Sequence, residues 1–145
     1  TAIIPLAIRG VKSVTDLQHE TFAGLLRALV RERLEFARRH QKHLRILLQE
    51  LPLNEELRTG MVKMLKSELF PVLQQKILQH QKTGELRPMP TEQMLSLIMP
   101  QILGFVLGRA VLGLQFGKSD EADLDVLIEV MLQGLHAPGI YDKKR

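Results

Sequence analysis

The segment at residues 94–116, MLSLIMPQILGFVLGRAVLGLQF, limits what this chain can fold into more than any other part. It is long enough for about six helical turns and carries a single charge, that of Arg109. A surface helix has an apolar stripe and a polar face, whereas this segment is apolar almost all round and must be buried on every side. A chain of 145 residues has difficulty burying such a helix alone. The segment therefore predicts a partner subunit, a hollow filled by a ligand, or a membrane.

The composition favours a soluble protein among these options. The chain is 45% hydrophobic and 25% charged, which is ordinary for one globular domain. It contains no Cys, which excludes a disulfide framework, thiol chemistry and a cysteine-based zinc site. We find no signal peptide at its start. We therefore expect a cytoplasmic protein.

The apolar residues follow a helical period along the whole chain, and no segment alternates as a strand does. The sequence therefore predicts an all-α fold. Asn54, Thr91 and either Ser119 or Asp120 are expected to cap helices. The predicted helices cover residues 3–13, 18–39, 41–51, 55–82, 92–117 and 120–135.

Two prolines lie inside predicted helices, at Pro71 and Pro100. Each should kink its helix and release the carbonyl of the residue four positions earlier, which is Ser67 or Ser96. Kinked helices leave gaps between neighbours, and such gaps are where helical bundles hold ligands. A simple packing adjustment is the alternative interpretation.

Three charged residues fall within apolar helix faces on a helical wheel: Arg33, Glu68 and Arg109. A buried charge is costly unless it is paired. One interpretation is ion pairs inside the core, or long side chains that reach the edge of it. The other is a ligand pocket with a few fixed polar groups among Met, Leu and Phe side chains. Two Arg against one Glu would then favour an anionic or carbonyl-bearing ligand.

Gly104 and Gly108 lie four residues apart on one face of the apolar helix. Small residues at this spacing let another helix approach closely, and in lipid they form a dimerisation motif. Pro100, Gln101 and Arg109 interrupt the apolar run, and no second segment of this kind exists. We therefore expect a subunit interface rather than membrane insertion.

The sequence contains no recognisable catalytic set, and we expect neither an enzyme nor a bound cofactor. There is no Gly-rich phosphate loop, no G-x-S-x-G turn and no H-E-x-x-H motif. His40 and His43 are three residues apart and share a helix face, which permits a metal site. Two histidines on a basic surface helix are more often ordinary surface residues, so we expect no metal.

The charge is distributed unevenly. Residues 1–53 carry nine Lys or Arg and five Asp or Glu, whereas residues 91–135 carry two and six. The basic stretch could attract nucleic acid electrostatically. It lacks aromatic residues for base stacking and is interrupted by Glu32 and Glu35, so a solvated helix face is the favoured interpretation. Its members are Arg27, Arg31, Arg33, Arg38, Arg39, Lys42 and Arg45.

Three segments together resemble the tetracycline-repressor (TetR) family of transcriptional regulators. ERLEFARRHQKHLRILLQELPLNEELR is similar to the family segment in which a helix ends at F...H and a short helix follows. KTGELRPMPTEQM resembles its connector, and DLDVLIEVMLQGL resembles its closing helix. The similarity covers residues 18–135. It implies an orthogonal bundle of about six helices, whose last two long helices form a four-helix dimer interface.

The resemblance implies a two-part protein, of which residues 1–136 would be the effector-binding and dimerisation domain and residues 137–145 a tail. The helix-turn-helix domain would be absent from this chain. Operator DNA would be bound only by that missing domain. The partners expected are a second copy and a small hydrophobic or amphipathic effector. A stand-alone helical interaction module without a ligand is the alternative.

The residues assigned to these two roles combine the resemblance with the wheel argument. The expected effector residues are Phe22, Leu26, Arg33, Met61, Met64, Glu68, Ile98, Ile102, Phe105 and Arg109. The expected dimer residues are Leu97, Gln101, Gly104, Gly108, Val111, Leu124, Leu127, Met131 and Leu135.

Overall fold

The computed structural model describes residues 2–115 and 117–135, and within them the chain is all-α with no strand. The tail predicted at residues 137–145 lies outside the described residues. The elements are α1 (Ile3–Thr15), α2 (Phe22–Arg39), α3 (Gln41–Glu50), α4 (Glu55–Met64), the π segment (Leu65–Leu69), α5 (Phe70–Lys82), α6 (Thr91–Ala110) and α7 (Asp120–Leu135). Because α4, the π segment and α5 follow one another without a break, these elements form six continuous helices. The predicted all-α fold is confirmed.

Helix α2 lies at the centre of the molecule and packs against α1, α6 and α7. Its apolar residues recur at the i, i+3, i+4 spacing, so they form one stripe, and Phe22, Leu26 and Val30 are buried on it. Met94 of α6 and Leu124 of α7 are fully buried in the same core. Each of the two last long helices therefore uses one face to pack within its own chain.

Side-chain caps fix the starts of three helices. Thr21, Asn54 and Ser119 each accept a hydrogen bond from the backbone N–H three residues further on, at 3.0, 2.9 and 3.2 Å. The caps predicted at Asn54 and Ser119 are confirmed. The cap predicted at Thr91 is wrong, because Thr91 is itself the first residue of α6 and Pro90 precedes it.

The π-helical segment at Leu65–Leu69 lies immediately before Pro71. A π turn holds one more residue than an α turn, and proline lacks the N–H that a regular helix requires. The extra residue rotates the side chains of α4, before the π segment, relative to those of α5, after it. A regular helical wheel therefore misplaces Glu68, whose side chain is 54% exposed and pairs with Lys12 at 3.2 Å on the surface. The expectation that Glu68 lies within an apolar face is wrong.

Helix α6 ends at Ala110, earlier than the predicted end near residue 117. Gly113 takes a left-handed backbone conformation, φ +70°, which turns the chain back. The backbone N–H of Leu114 then donates to the carbonyl of Gly108 at 2.8 Å. The apolar segment is thus a helix followed by a tight turn, and Leu112 and Leu114 in that turn are exposed.

Helices α3 and α4 are attached weakly. Neither contains a buried residue, and Leu53 in the turn between them is almost fully exposed. Leu44 of α3 is half-buried and packs on the edge of the core. The two helices are joined by a short exposed turn and contribute no buried residue to the interior of the bundle.

Candidate dimerisation face and effector region

The outward face of α6 between residues 93 and 108 is uncharged and largely apolar. Residues 93–108 contain no charged side chain. Leu97, Gln101 and Gly104 are exposed on this face and Gly108 is half-buried. A Cβ atom built on Gly104 or Gly108 meets no atom within 4 Å. The stripe predicted for a partner on α6 is therefore open to solvent in the single chain.

Helix α7 presents a different face from the predicted one. Leu124, Met131 and Leu135 are 0, 5 and 4% exposed and belong to the chain's own core. Val126 and Val130, which the sequence reasoning did not select, are 57 and 60% exposed. Val126 and Val130 are therefore the apolar side chains of α7 that remain open to a partner, because the more apolar stripe is already used within the chain.

The remaining residues predicted for the dimer interface lie between these extremes. Val111 is buried just after the end of α6. Leu127 is half-buried on α7 and packs against the core. These two positions border the outward faces and do not belong to them.

The apolar residues predicted for the effector site lie in two different settings. Phe22, Leu26, Ile98 and Ile102 are buried in the main core, and the half-buried Phe105 packs against it. Met61 and Met64 are half-buried on α4, which contains no buried residue. The structure thus brings the core members together and places the two methionines on a separate element.

The three charged residues predicted near the effector do not meet one another; each has its own ion pair. Arg33 pairs with its neighbour Glu32, at 2.5 Å between Nε and Oε2. This pair lies against Gly10 of α1, where a Cβ atom would collide with both side chains. The sequence left two interpretations open, ion pairs within the protein or polar groups of a ligand pocket. Arg33 and Arg109 form ion pairs.

Arg109 joins the end of α6 to the start of α7. Its guanidinium is bonded to Asp123 at 2.6 Å and to Asp120 at 3.3 Å, and it lies 4.4 Å from the ring centre of Phe105. Only 12% of its side chain is exposed. Arg38 of α2 also pairs with Asp120 at 2.5 Å, so two cations face two carboxylates. This cluster fixes α6, α7 and α2 against one another.

The basic stretch of α2 is engaged by the acidic start of α7. Arg27 pairs with Asp125 at 2.9 Å, and Arg31 forms two bonds with Glu121 at 2.9 and 2.6 Å. The hydrogen bonds from Arg31 lower the pKa of the Glu121 carboxyl, and the same contact raises the pKa of Arg31. The basic residues of α2 and the acidic residues of α7 therefore neutralise one another within one chain. This leaves less unpaired positive charge on α2 for contact with nucleic acid.

A polar contact that the sequence did not indicate fixes the start of α2. Glu85, in the connector after α5, accepts a hydrogen bond from the backbone N–H of Phe22 at 2.6 Å. His80 of α5 is buried beside it, with Nδ1 3.5 Å from the carboxylate and its ring against that of Phe22. Phe22 and Glu85 are more than sixty positions apart in the chain, so no local sequence pattern predicts the contact.

The two histidines considered for metal binding, His40 and His43, have ring centres 6.2 Å apart. Within residues 2–115 and 117–135, no group of three or more His, Cys, Asp or Glu is placed to hold a metal ion. His40 instead packs against the ring of Phe36 at 4.6 Å.

Helix α6 is the one helix among the described residues that is long and apolar enough to cross a membrane. Its mean hydropathy over the relevant window is 1.2, and a third of that window is buried inside the protein. The core helix of a soluble protein has the same properties, so a single helix of this kind is weak evidence for a membrane span.

No protein-family model, curated protein or solved structure matches this chain. The similarity to TetR regulators therefore rests on the three sequence segments alone.

Proposed function

We propose that this chain is the effector-binding and dimerisation domain of a TetR-like transcriptional repressor of the cytoplasm. The observation that carries the proposal is the pair of outward faces on the last two long helices. Leu97 and Gly104 on α6, and Val126 and Val130 on α7, are apolar and exposed in the single chain. The two helices are consecutive and are joined at their ends by the Arg109 ion pairs, and solvent-exposed apolar side chains on such elements are typical of a protein interface.

A second copy of this chain is the partner that fits these faces. Gly104 and Gly108 leave a shallow groove on α6, while Val126 and Val130 form a ridge at i, i+4 on α7. A two-fold axis presents the same patch from both subunits, so each groove can receive the ridge of the other copy. A charge-free stripe on α6 avoids the repulsion between like charges that such symmetry would otherwise create.

Effector binding is proposed on the sequence resemblance, with support from α4 and the π segment. Met61 and Met64 are half-buried, conformationally adaptable side chains on α4, which contains no fully buried residue. The irregular helix at Leu65–Leu69 joins this element to the core. An effector that favours one arrangement of these helices would shift the population of the dimer and so change operator affinity through a separate DNA-binding domain.

A thermal-shift screen against apolar and acidic small molecules tests effector binding. A ligand that binds only the folded chain raises its melting temperature in proportion to the logarithm of its concentration. We expect stabilisation by at least one amphipathic compound, with loss of the shift on Met64→Ala. If no compound of either class stabilises the chain, the effector part of the proposal fails.

A helical interaction module without a ligand is the second candidate. The burial of Phe22, Leu26, Ile98 and Ile102 in the main core favours it, because those residues are already packed against protein. If the chain is an interaction module, it should dimerise and no compound should raise its melting temperature. If it is a TetR-like regulator domain, it should dimerise and at least one compound should raise its melting temperature.

A further inference from the structure

We propose that α3 is a detachable cap on the C-terminal end of α6. The Gln41 side chain donates a hydrogen bond from Nε2 to the carbonyl of Ala110 at 2.7 Å. Arg45, one helical turn further along α3, points its guanidinium at the carbonyl of Val111 at 3.4 Å. Two side chains of one short helix thus supply donors to the end of another helix almost seventy positions away.

The end of α6 requires donors of this kind. The last four carbonyls of any helix have no partner within the helix. Ala110 and Val111 are both buried, so an unpaired carbonyl there would be costly. A cation at this end also interacts favourably with the helix dipole, which suits Arg45.

The attachment of α3 itself is weak. No residue of α3 is buried, and neither is any residue of α4, to which it is joined by a short exposed turn. Elements with few buried apolar contacts open locally at a free energy far below that of global unfolding. Because Gln41 and Arg45 both lie on α3, opening this helix removes both donors together.

The capped end of α6 is also an end of the candidate dimerisation face. Gly108 lies on that face, and its carbonyl accepts the N–H of Leu114 in the turn that follows α6. An event that holds or releases α3 would therefore tighten or loosen the last turn of α6. The coupling belongs to a single chain and does not depend on the proposed function. If that function is right, α3 is a place from which dimer geometry can be regulated.

Native-state hydrogen exchange of the full chain tests the cap. Gln41→Leu keeps the size of the side chain and removes its donor. We expect the amides of Val111, Leu112 and Leu114 to exchange about 2- to 10-fold faster, the range expected for losing one hydrogen bond. Gln49→Leu is the matched control, because Gln49 is exposed on the same helix, and it should leave these three amides unchanged.

Leu44→Ala provides the second variant, since it weakens the attachment of α3 without touching either donor. We expect faster exchange both in α3 and at the three amides that follow α6. The proposal is overturned if Leu44→Ala accelerates exchange in α3 alone, or if Gln41→Leu and Gln49→Leu behave alike. Neither result would bear on dimerisation, which is measured separately by sedimentation.

Discussion

Replacing Arg109 by Met removes the guanidinium that contacts both Asp120 and Asp123 while keeping a long apolar stem against Phe105. Removing one partner from a buried ion pair costs about 3–5 kcal/mol, because the other charge is left buried and unpaired. Here the cost is reduced, since Asp120 keeps Arg38 and the carboxylate of Asp123 still accepts the N–H of Lys118. We therefore expect Arg109→Met to lower the free energy of unfolding by about 2–4 kcal/mol.

Urea unfolding followed by circular dichroism measures this loss. For a domain of this size the slope is about 2 kcal/mol per M, so the midpoint should fall by about 1–2 M. The protein concentration must be held constant, because association would itself raise the apparent stability. Arg39→Met is the matched control: its pair with Glu35 is exposed on both sides, and such pairs contribute about 0.5 kcal/mol or less.

The double variant Arg109→Met with Asp123→Leu separates pairing from packing. If the cost of Arg109→Met comes from stranded carboxylates, removing Asp123 as well should restore part of the lost stability. A midpoint for Arg109→Met equal to that of Arg39→Met would refute the view that this cluster fastens α6 to α7.

Three further predictions concern stability. Glu85→Leu should lower the free energy of unfolding by about 1–3 kcal/mol in urea, because the N–H of Phe22 loses a charged acceptor. Arg31 holds the pKa of Glu121 in the folded chain below its ordinary value. Between these two pKa values the unfolded chain binds more protons than the folded chain, so the stability that the pair contributes is lost as pH falls through the lowered pKa. Glu121→Gln should remove this part of the acid dependence of the melting temperature. Gly10→Ala should change the free energy of unfolding by no more than about 1 kcal/mol, because its methyl meets only the movable ends of the Glu32 and Arg33 side chains and alanine favours a helix over glycine. Gly60→Ala on α4, where a Cβ atom meets nothing, should raise the free energy of unfolding by about 0.5–1 kcal/mol.

Local signals in the sequence were sufficient for most helix positions. The apolar period located α2, and the cap at Asn54 fixed the start of α4 because its side chain bonds to a backbone N–H only three residues away. Helix α5 ends at Lys82, which is the predicted end, and Gly84 follows in a left-handed conformation. Each of these features depends on interactions within one or two helical turns.

The failures come from two departures from regular geometry. The π segment before Pro71 adds a residue to the helix, and a wheel of constant period then places Glu68 on the wrong side. Helix α6 ends at Ala110 within an apolar run, ahead of the left-handed Gly113, and the glycines at 104 and 108 lie inside the same helix, so a glycine alone did not mark the end. Neither departure changes the apolar period enough to be read from one sequence.

The division of α7 between core and surface is a different kind of failure. Its most apolar stripe, which includes Leu124 and Met131, was predicted for the partner. The outward stripe of α7 carries Val126 and Val130 among acidic residues, and packing against α2 leaves that stripe exposed. This packing brings together segments as far apart as those of Arg31 and Glu121, so no local pattern specifies it.

Analytical ultracentrifugation of Gly104→Leu tests the central claim most directly. Gly104 is exposed and a Cβ atom added there meets no atom within 4 Å in the single chain, so the fold should be retained with leucine at this position. In a symmetric dimer it fills the groove twice, at about 1–3 kcal/mol each, which raises the dissociation constant by about 30-fold or more. Gly60→Leu is the control, since Gly60 is equally open but lies on α4.

We predict that the wild-type chain and Gly60→Leu sediment as dimers of twice the 16.5 kDa chain mass, and that Gly104→Leu dissociates at concentrations where they do not. A wild-type chain that stays monomeric at every concentration, or a Gly104→Leu variant that dimerises as tightly as Gly60→Leu, would contradict the assignment of this face to a second copy.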